Sequence, residues 1–176
     1  MDIGQVPGAE QLGDRLAIME VLAMHCRGVD RADEAALKVA YWPEATVAYG
    51  AFNGNAHEFC AMLPTGIKAY ERTQHSITNT LIDLRGSRAK VESYVTAYHY
   101  LANDDAADSE MTYIGRYLDR FEKRNTRWKI MHRQVVMDWN QNAEATAILS
   151  GPPFAGLARG SRHPDDVVYQ MLAEND

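Results

Sequence analysis

The pattern of apolar and polar positions divides the chain into a helical front and a β-rich back. From Glu10 to Val29, the residues Leu12, Leu16, Met19, Leu22, Ala23 and Cys26 fall at helical spacing with most charges on the other side, which predicts a long first helix. Gly28 marks its end, and Asp33 is placed to cap a second helix, Glu34 to Trp42, that Pro43 stops. Residues Ala45 to Ala51 read as a strand and Asn53-Gly54-Asn55 as a turn. A third helix follows from Ala56 to Tyr70, broken into two pieces by Pro64 and Gly66. From Arg72 onward the period changes. Thr73 to Leu84, Ala89 to Leu101, Met111 to Arg124 and Arg127 to Trp139 are rich in β-branched and aromatic residues, with turn-like segments between them, and predict a four-stranded antiparallel meander.

Helices first and a long curved sheet afterwards describe an α+β domain in which helices cover one sheet face and a pocket forms between the layers. A chain of 176 residues, 46% of them hydrophobic, suits a single domain that buries roughly two-thirds of its unfolded surface. Its core spans about residues 10–140. The tail, 141–176, carries Gly151-Pro152-Pro153 and a short amphipathic piece with Val167, Val168 and Met171. It is too short for a domain and too apolar for a linker alone, so it is expected to pack on the pocket mouth or on a neighbouring subunit.

Charge and composition then narrow the partners. The net charge is −6 and the basic residues are scattered, so a phosphate backbone is repelled and nucleic-acid binding is not expected. Cys26 and Cys60 form no C-x-x-C and sit near no metal-type histidine pair, so neither a disulfide framework nor a zinc site is supported. His99 and His132 fall on separate strands with no carboxylate at ligand spacing, and no metal is expected. The N-terminus lacks a signal-peptide pattern and no run reaches the roughly twenty apolar residues of a membrane span, so the expected location is the cytoplasm. Motifs for zinc hydrolysis, dinucleotide binding, phosphoryl transfer and α/β-hydrolase chemistry are absent.

Candidate chemistry lies at three separated places. Strand alternation puts Thr73, His75, Ile77, Asn79 and Leu81 on one half-apolar face. A lone histidine there is ordinarily a core residue with satisfied hydrogen bonds. Asp30 follows the first helix, where the negative end of the macrodipole disfavours a carboxylate and calls for a cationic or protic partner. Joined to His75, it would fix the imidazole tautomer and stabilise the imidazolium after proton abstraction. Arg133 alternates with Met131, Val135 and Met137, a costly position for an unpaired guanidinium, which either pairs, holds an anionic intermediate or snorkels to water. Most tyrosines are strand-packing residues. Tyr41, Tyr49 and Tyr113, with His25 and Asn79, are the candidates for contacting substrate.

The ordered set resembles the SnoaL-like branch of the NTF2-like superfamily. It comprises Asp14-Arg15-Leu16-Ala17-Ile18, Cys26-Arg27-Gly28-Val29-Asp30-Arg31, Thr73-Gln74-His75 with Asn79, Gly115-Arg116-Tyr117, Trp128-Lys129-Ile130 and Asp138-Trp139. The resemblance runs from about Leu12 to Trp139 and implies a cone-shaped α+β barrel around one deep apolar cavity. In pattern it is similar to the dehydrochlorinase, scytalone dehydratase and diarylpropane lyase type. That likeness implies a His75–Asp30 dyad with Arg133 as the active-site arginine and no cofactor. His25 stands where many relatives carry tyrosine, and the tail after Trp139 matches no specific member.

The expected activity is therefore a lyase that abstracts a proton and eliminates water, halide or formaldehyde from a small hydrophobic substrate, aromatic ones included, as a homo-oligomer with a trimer favoured over a dimer. Two other readings stay open. An isomerase or cyclase would use the same dyad and return the proton, and a non-catalytic ligand-binding or assembly module would use the fold alone.

Overall fold

In the computed structural model, which describes residues 4–174, three helices from the first 67 residues pack on one face of a single six-stranded mixed sheet, and a short fourth follows the last strand. The helices are α1 (Ala9–Asp30), α2 (Glu34–Val39), α3 (Ala56–Ile67) and a short α4 (Val167–Ala173). The strands are β1 (Tyr41–Tyr49), β2 (Phe52–Asn55), β3 (Arg72–Arg85), β4 (Arg88–Leu101), β5 (Ser109–Arg124) and β6 (Arg127–Glu144). Their order is β2-β1-β6-β5-β4-β3, with β1 parallel to β6 and every other pair antiparallel, so β2 and β3 are edges. The predicted meander is β3 to β6, and the chain is α+β as expected.

The buried face of α1 differs from the predicted one. Ile18, Leu22, Cys26 and Val29 face the core together with His25, whereas Leu12, Leu16 and Met19 are about half exposed at 51%, 55% and 50%. Counting apolar residues alone passes over a buried histidine and so rotates the stripe. Asp14 ties this helix to the sheet by accepting from Trp128 Nε1 at 2.7 Å and Lys123 Nζ at 2.9 Å.

Four local expectations are corrected. Gly28 lies inside α1, not at its end, and lets α2 approach, since a Cβ there would meet Leu37 Cγ at 2.8 Å and Leu37 N at 2.9 Å. The left-handed residue past the helix is Ala32, at φ 51°. The second helix stops at Val39, because Tyr41 already pairs with Ile130 of β6, and Pro43 sits where that ladder is interrupted, between Tyr41 and Thr46, so its missing N–H breaks no ladder bond. The turn falls at Gly50-Ala51, and Asn53-Gly54-Asn55 belong to β2, with Asn55 Oδ1 capping α3 through the N–H groups of His57 and Glu58. Pro64 stands in the closing part of α3 and leaves it one helix.

Between the layers, Ile18, Leu22, Val29, Leu37 and Phe59 from the helices meet Tyr41, Val47, Val91, Phe121 and Ile130 from the sheet. Among the described residues no helix is long and apolar enough to cross a membrane. Gly28→Ala is expected to lower stability by about 1–3 kcal/mol through overpacking against Leu37. Urea unfolding measures it, and an unchanged midpoint would mean that α2 shifts freely away.

Candidate active site

Asp30 is the last residue of α1 and His75 lies near the start of β3; the fold brings them into contact. Asp30 Oδ1 is 2.7 Å from His75 Nδ1, and Oδ2 accepts the backbone N–H of His75 at 2.8 Å. Because β3 is an edge strand, its outward N–H groups have no neighbouring strand, and Asp30 satisfies one of them. Two bonds from one carboxylate fix the imidazole relative to its own backbone. An ionised carboxylate only accepts, so Nδ1 carries the proton and Nε2 is left as an acceptor.

Burial alone would raise the Asp30 pKa, but hydrogen bonds from the His75 ring and backbone and from Thr73 bring it below the ordinary carboxylate value. That is the protic compensation demanded by a carboxylate at the negative end of a helix. Asp30 and His75 open on a cavity of about 800 Å³ between α1, β3 and the C-terminal segment, whose apolar lining includes Met19, Leu22, Ala23, Ile77 and Val168. His99 of β4 meets the His75 ring edge-on at 5.7 Å, and its Nδ1 lies 3.3 Å from the Met111 carbonyl. Burial, then the neighbouring His75, pushes the His99 pKa down.

Arg133 is fully buried on β6 and pairs with Asp119, directly opposite it on β5, through a fork of 2.8 Å (Nε to Oδ1) and 2.7 Å (Nη2 to Oδ2). Its guanidinium lies 3.9 Å from the centre of the Tyr117 ring, and its Nη1 has no partner. Burial disfavours its charge, yet Asp119, Tyr41 and Tyr117 hold it well above the usual arginine value. Around it sit His25, whose Nδ1 is 3.3 Å from Tyr41 Oη, and Tyr49, whose hydroxyl is 3.2 Å from that of Tyr117. His25 stands edge-on to both Tyr41 and Tyr117 at 5.7 Å, and its Nε2 has no partner. Burial, then the charges of Arg133 and His75, hold the His25 pKa well below its ordinary value, so this ring is neutral.

Of the eight residues named from sequence, the structure therefore joins Asp30 to His75 and gathers Arg133, His25, Tyr41 and Tyr49 in a second cluster beneath. Arg133 is committed to Asp119, not to the dyad. Tyr113 donates to the Val136 carbonyl at 2.7 Å. Asn79 leaves the face of His75: a bulge between Ile77 and Thr80 shifts the alternation, so Asn79 is exposed and Leu81 is 47% exposed, while Thr80 and Ile82 continue the inner face. His99 and His132 are separated by β5, and His132 Nδ1 bonds Thr46 Oγ1 at 2.8 Å. Among the described residues no group of three or more His, Cys, Asp or Glu side chains is placed to hold a metal.

Three contributors escape the sequence reading. Tyr117 is read there only as strand packing, and Asp119 goes unread although it alternates with Tyr117 and Phe121, the signal that singles out Arg133. Arg162 lies in an aperiodic stretch, Gly160-Ser161-Arg162-His163-Pro164, that carries no such signal.

Residues 10–134 match the SnoaL-like domain family. The chain belongs to that family. Solved structures of low sequence identity share its fold. The hexachlorocyclohexane dehydrochlorinase LinA-type3 from Novosphingobium barchaimii is 18% identical, with TM-score 0.69, covering 81% of this chain and 97% of that one. A putative scytalone dehydratase from Novosphingobium aromaticivorans is 20% identical, with TM-score 0.65, covering 85% and 97%. The Kfla4162 protein from Kribbella flavida is 18% identical, with TM-score 0.67, covering 76% and 95%. No curated protein matches the chain.

Two predictions test the electrostatics of this SnoaL-like interior. Arg133→Met is expected to cost about 3–5 kcal/mol in urea unfolding by stranding Asp119, and the double variant Arg133→Met/Asp119→Leu less than that. A single-variant loss below about 1 kcal/mol would indicate a solvated pair. The second concerns pH. The folded pKa of Asp30 is below its unfolded value of about 3.9, so its ionised form adds stability above that value, lost as pH falls through the folded pKa. Asp30→Asn is expected to flatten the acid limb of the stability profile below about pH 5, and an unaltered limb would remove Asp30 from the linkage.

Proposed function

We propose that this SnoaL-like protein is a cofactor-independent lyase that abstracts a proton and eliminates water, halide or formaldehyde from a small hydrophobic substrate, aromatic ones included. The observation that carries this reading is the pair of hydrogen bonds from the ring and backbone of His75 to Asp30, beside a cavity of about 800 Å³ with a partly apolar lining. His75 Nε2 takes the proton, and Asp30 holds the ring in place and stabilises the imidazolium that results. The apolar part of the lining, Met19, Leu22, Ala23, Ile77 and Val168, offers a surface for a hydrophobic substrate whose binding displaces water from the pair. Arg133 and His25 are fully buried and lie outside the lining of this cavity, with Arg133 paired to Asp119, so neither is assigned a contact with the leaving group. The solved relatives named as dehydrochlorinase and putative scytalone dehydratase support an elimination of this kind. An isomerase would use the same pair. Tyr94, Tyr98 and Trp139, exposed on the outer sheet face, are the surface we assign to a homotrimer, and the cytoplasm is the proposed location.

A compact aromatic carbon acid, 5-nitrobenzisoxazole, tests the chemistry, since loss of one proton opens its ring to a coloured phenolate. The wild type is expected to accelerate this opening and His75→Ala to lose about 10²–10⁴-fold in kcat/KM with its circular dichroism unchanged. Near wild-type turnover in that variant would sink the assignment. Mass spectrometry on chlorinated cyclohexanes and hydroxylated aromatics then separates the classes: a product lighter by the leaving group is elimination, and equal mass is isomerisation.

A further inference from the structure

The C-terminal segment reaches back across the whole chain to the residues that carry the dyad. Arg162 Nη1 donates to the backbone carbonyl of Asp30 at 2.5 Å and to Thr73 Oγ1 at 2.9 Å, and its Nη2 donates to the Tyr70 carbonyl at 2.7 Å. Thr73 is the inner-face residue two positions before His75 on β3, and its hydroxyl stabilises the Asp30 carboxylate. One half-buried guanidinium thus touches the end of α1, the chain entering β3 and the side chain between them. A cation at the carbonyl end of a helix is favourable, and here it offsets the poor placement of Asp30 at that same end.

Arg72 Nη1 donates to the Gly160 carbonyl at 3.2 Å, and further anchors of the segment fall on the residues that follow Asp30. His163 N donates to the Arg31 carbonyl at 2.6 Å, Asp166 lies 3.4 Å from Arg31 Nη1, and Tyr169 Oη donates to Asp33 Oδ2 at 2.7 Å. Asp166 also accepts from Ser161 N at 2.8 Å and Val168 N at 3.0 Å, which closes the segment on itself. Asp166 and Val168 then line the cavity onto which Asp30 and His75 open.

We propose that residues 160–169 form a strap that completes the site, and that Arg162 is a positioning residue for the Asp30–His75 pair, acting through the Asp30 carbonyl and the Thr73 hydroxyl. This rests on reading that pair as the proton-handling unit. A merely structural clip would hold the tail down without setting the state of the His75 ring.

The ring ¹⁵N shifts of His75, read through its carbon-bound protons in alkaline buffer, report which nitrogen carries the proton and need no substrate. The wild type is expected to hold the Nδ1–H form. Arg162→Gln and Thr73→Val are each expected to raise the share of the Nε2–H form at least threefold, Arg162→Lys to retain most of the wild-type signature, and Tyr169→Phe, which releases only a distal anchor, to leave it intact. Wild-type shifts of the Nε2–H form, or unchanged shifts in Thr73→Val and in a folded Arg162→Gln, would overturn the proposal. Should Arg162→Gln fail to fold, Thr73→Val decides alone. If the shifts move as expected while 5-nitrobenzisoxazole is not turned over, the strap stands and the lyase reading falls.

Discussion

Both oxygens of one carboxylate bind one residue, and the geometry of the site follows from that. Asp30 holds the ring of His75 with one oxygen and its backbone N–H with the other, so the imidazole cannot swing without breaking a bond to a buried charge. Hydrogen bonds to charged groups contribute about 1.5–3 kcal/mol each, and leaving such a buried group unpaired costs more than forming the bond gains. The clasp therefore fixes the end of α1 against the start of β3, and with it the wall of the cavity.

Beneath the clasp lies a second polar system with its own balance. Arg133 and Asp119 face each other across β5 and β6 and neutralise one another in a fully buried fork, with Tyr117 against the guanidinium face. Replacing such a pair with apolar residues is often neutral, so its presence is not explained by stability alone. The unpartnered Arg133 Nη1 and His25 Nε2 mark where this interior departs from the complete hydrogen bonding expected of a purely structural core.

Much of the architecture was legible because it depends on periodicity. The change from helical to alternating pattern at Arg72 placed the sheet, and the ends of its four long strands fell within a few residues of the observed ones except at the end of β6. What failed depended on tertiary context. Pro43 reads as a helix stop yet sits in a strand, because the ladder to β6 is interrupted there. Asn79 reads as sharing the face of His75, but one bulge reverses the later residues of β3. Asp30, His75 and Arg133 were each visible as residues in awkward places. Their partners were not equally visible: Asp30 finds His75, whereas Arg133 finds Asp119, and no spacing in the chain distinguishes the two outcomes.

The backbone bond from His75 to Asp30 has an effect outside chemistry. An edge strand with free N–H groups is a template on which a strand from another molecule can add, the first step toward ordered aggregates. On β3 that edge is interrupted twice: the side chain of Asp30 occupies the N–H of His75, and the bulge before Thr80 breaks the run that an incoming strand would need. The carboxylate that holds the histidine ring thereby also blocks one of the N–H groups on which β-augmentation of this margin would depend.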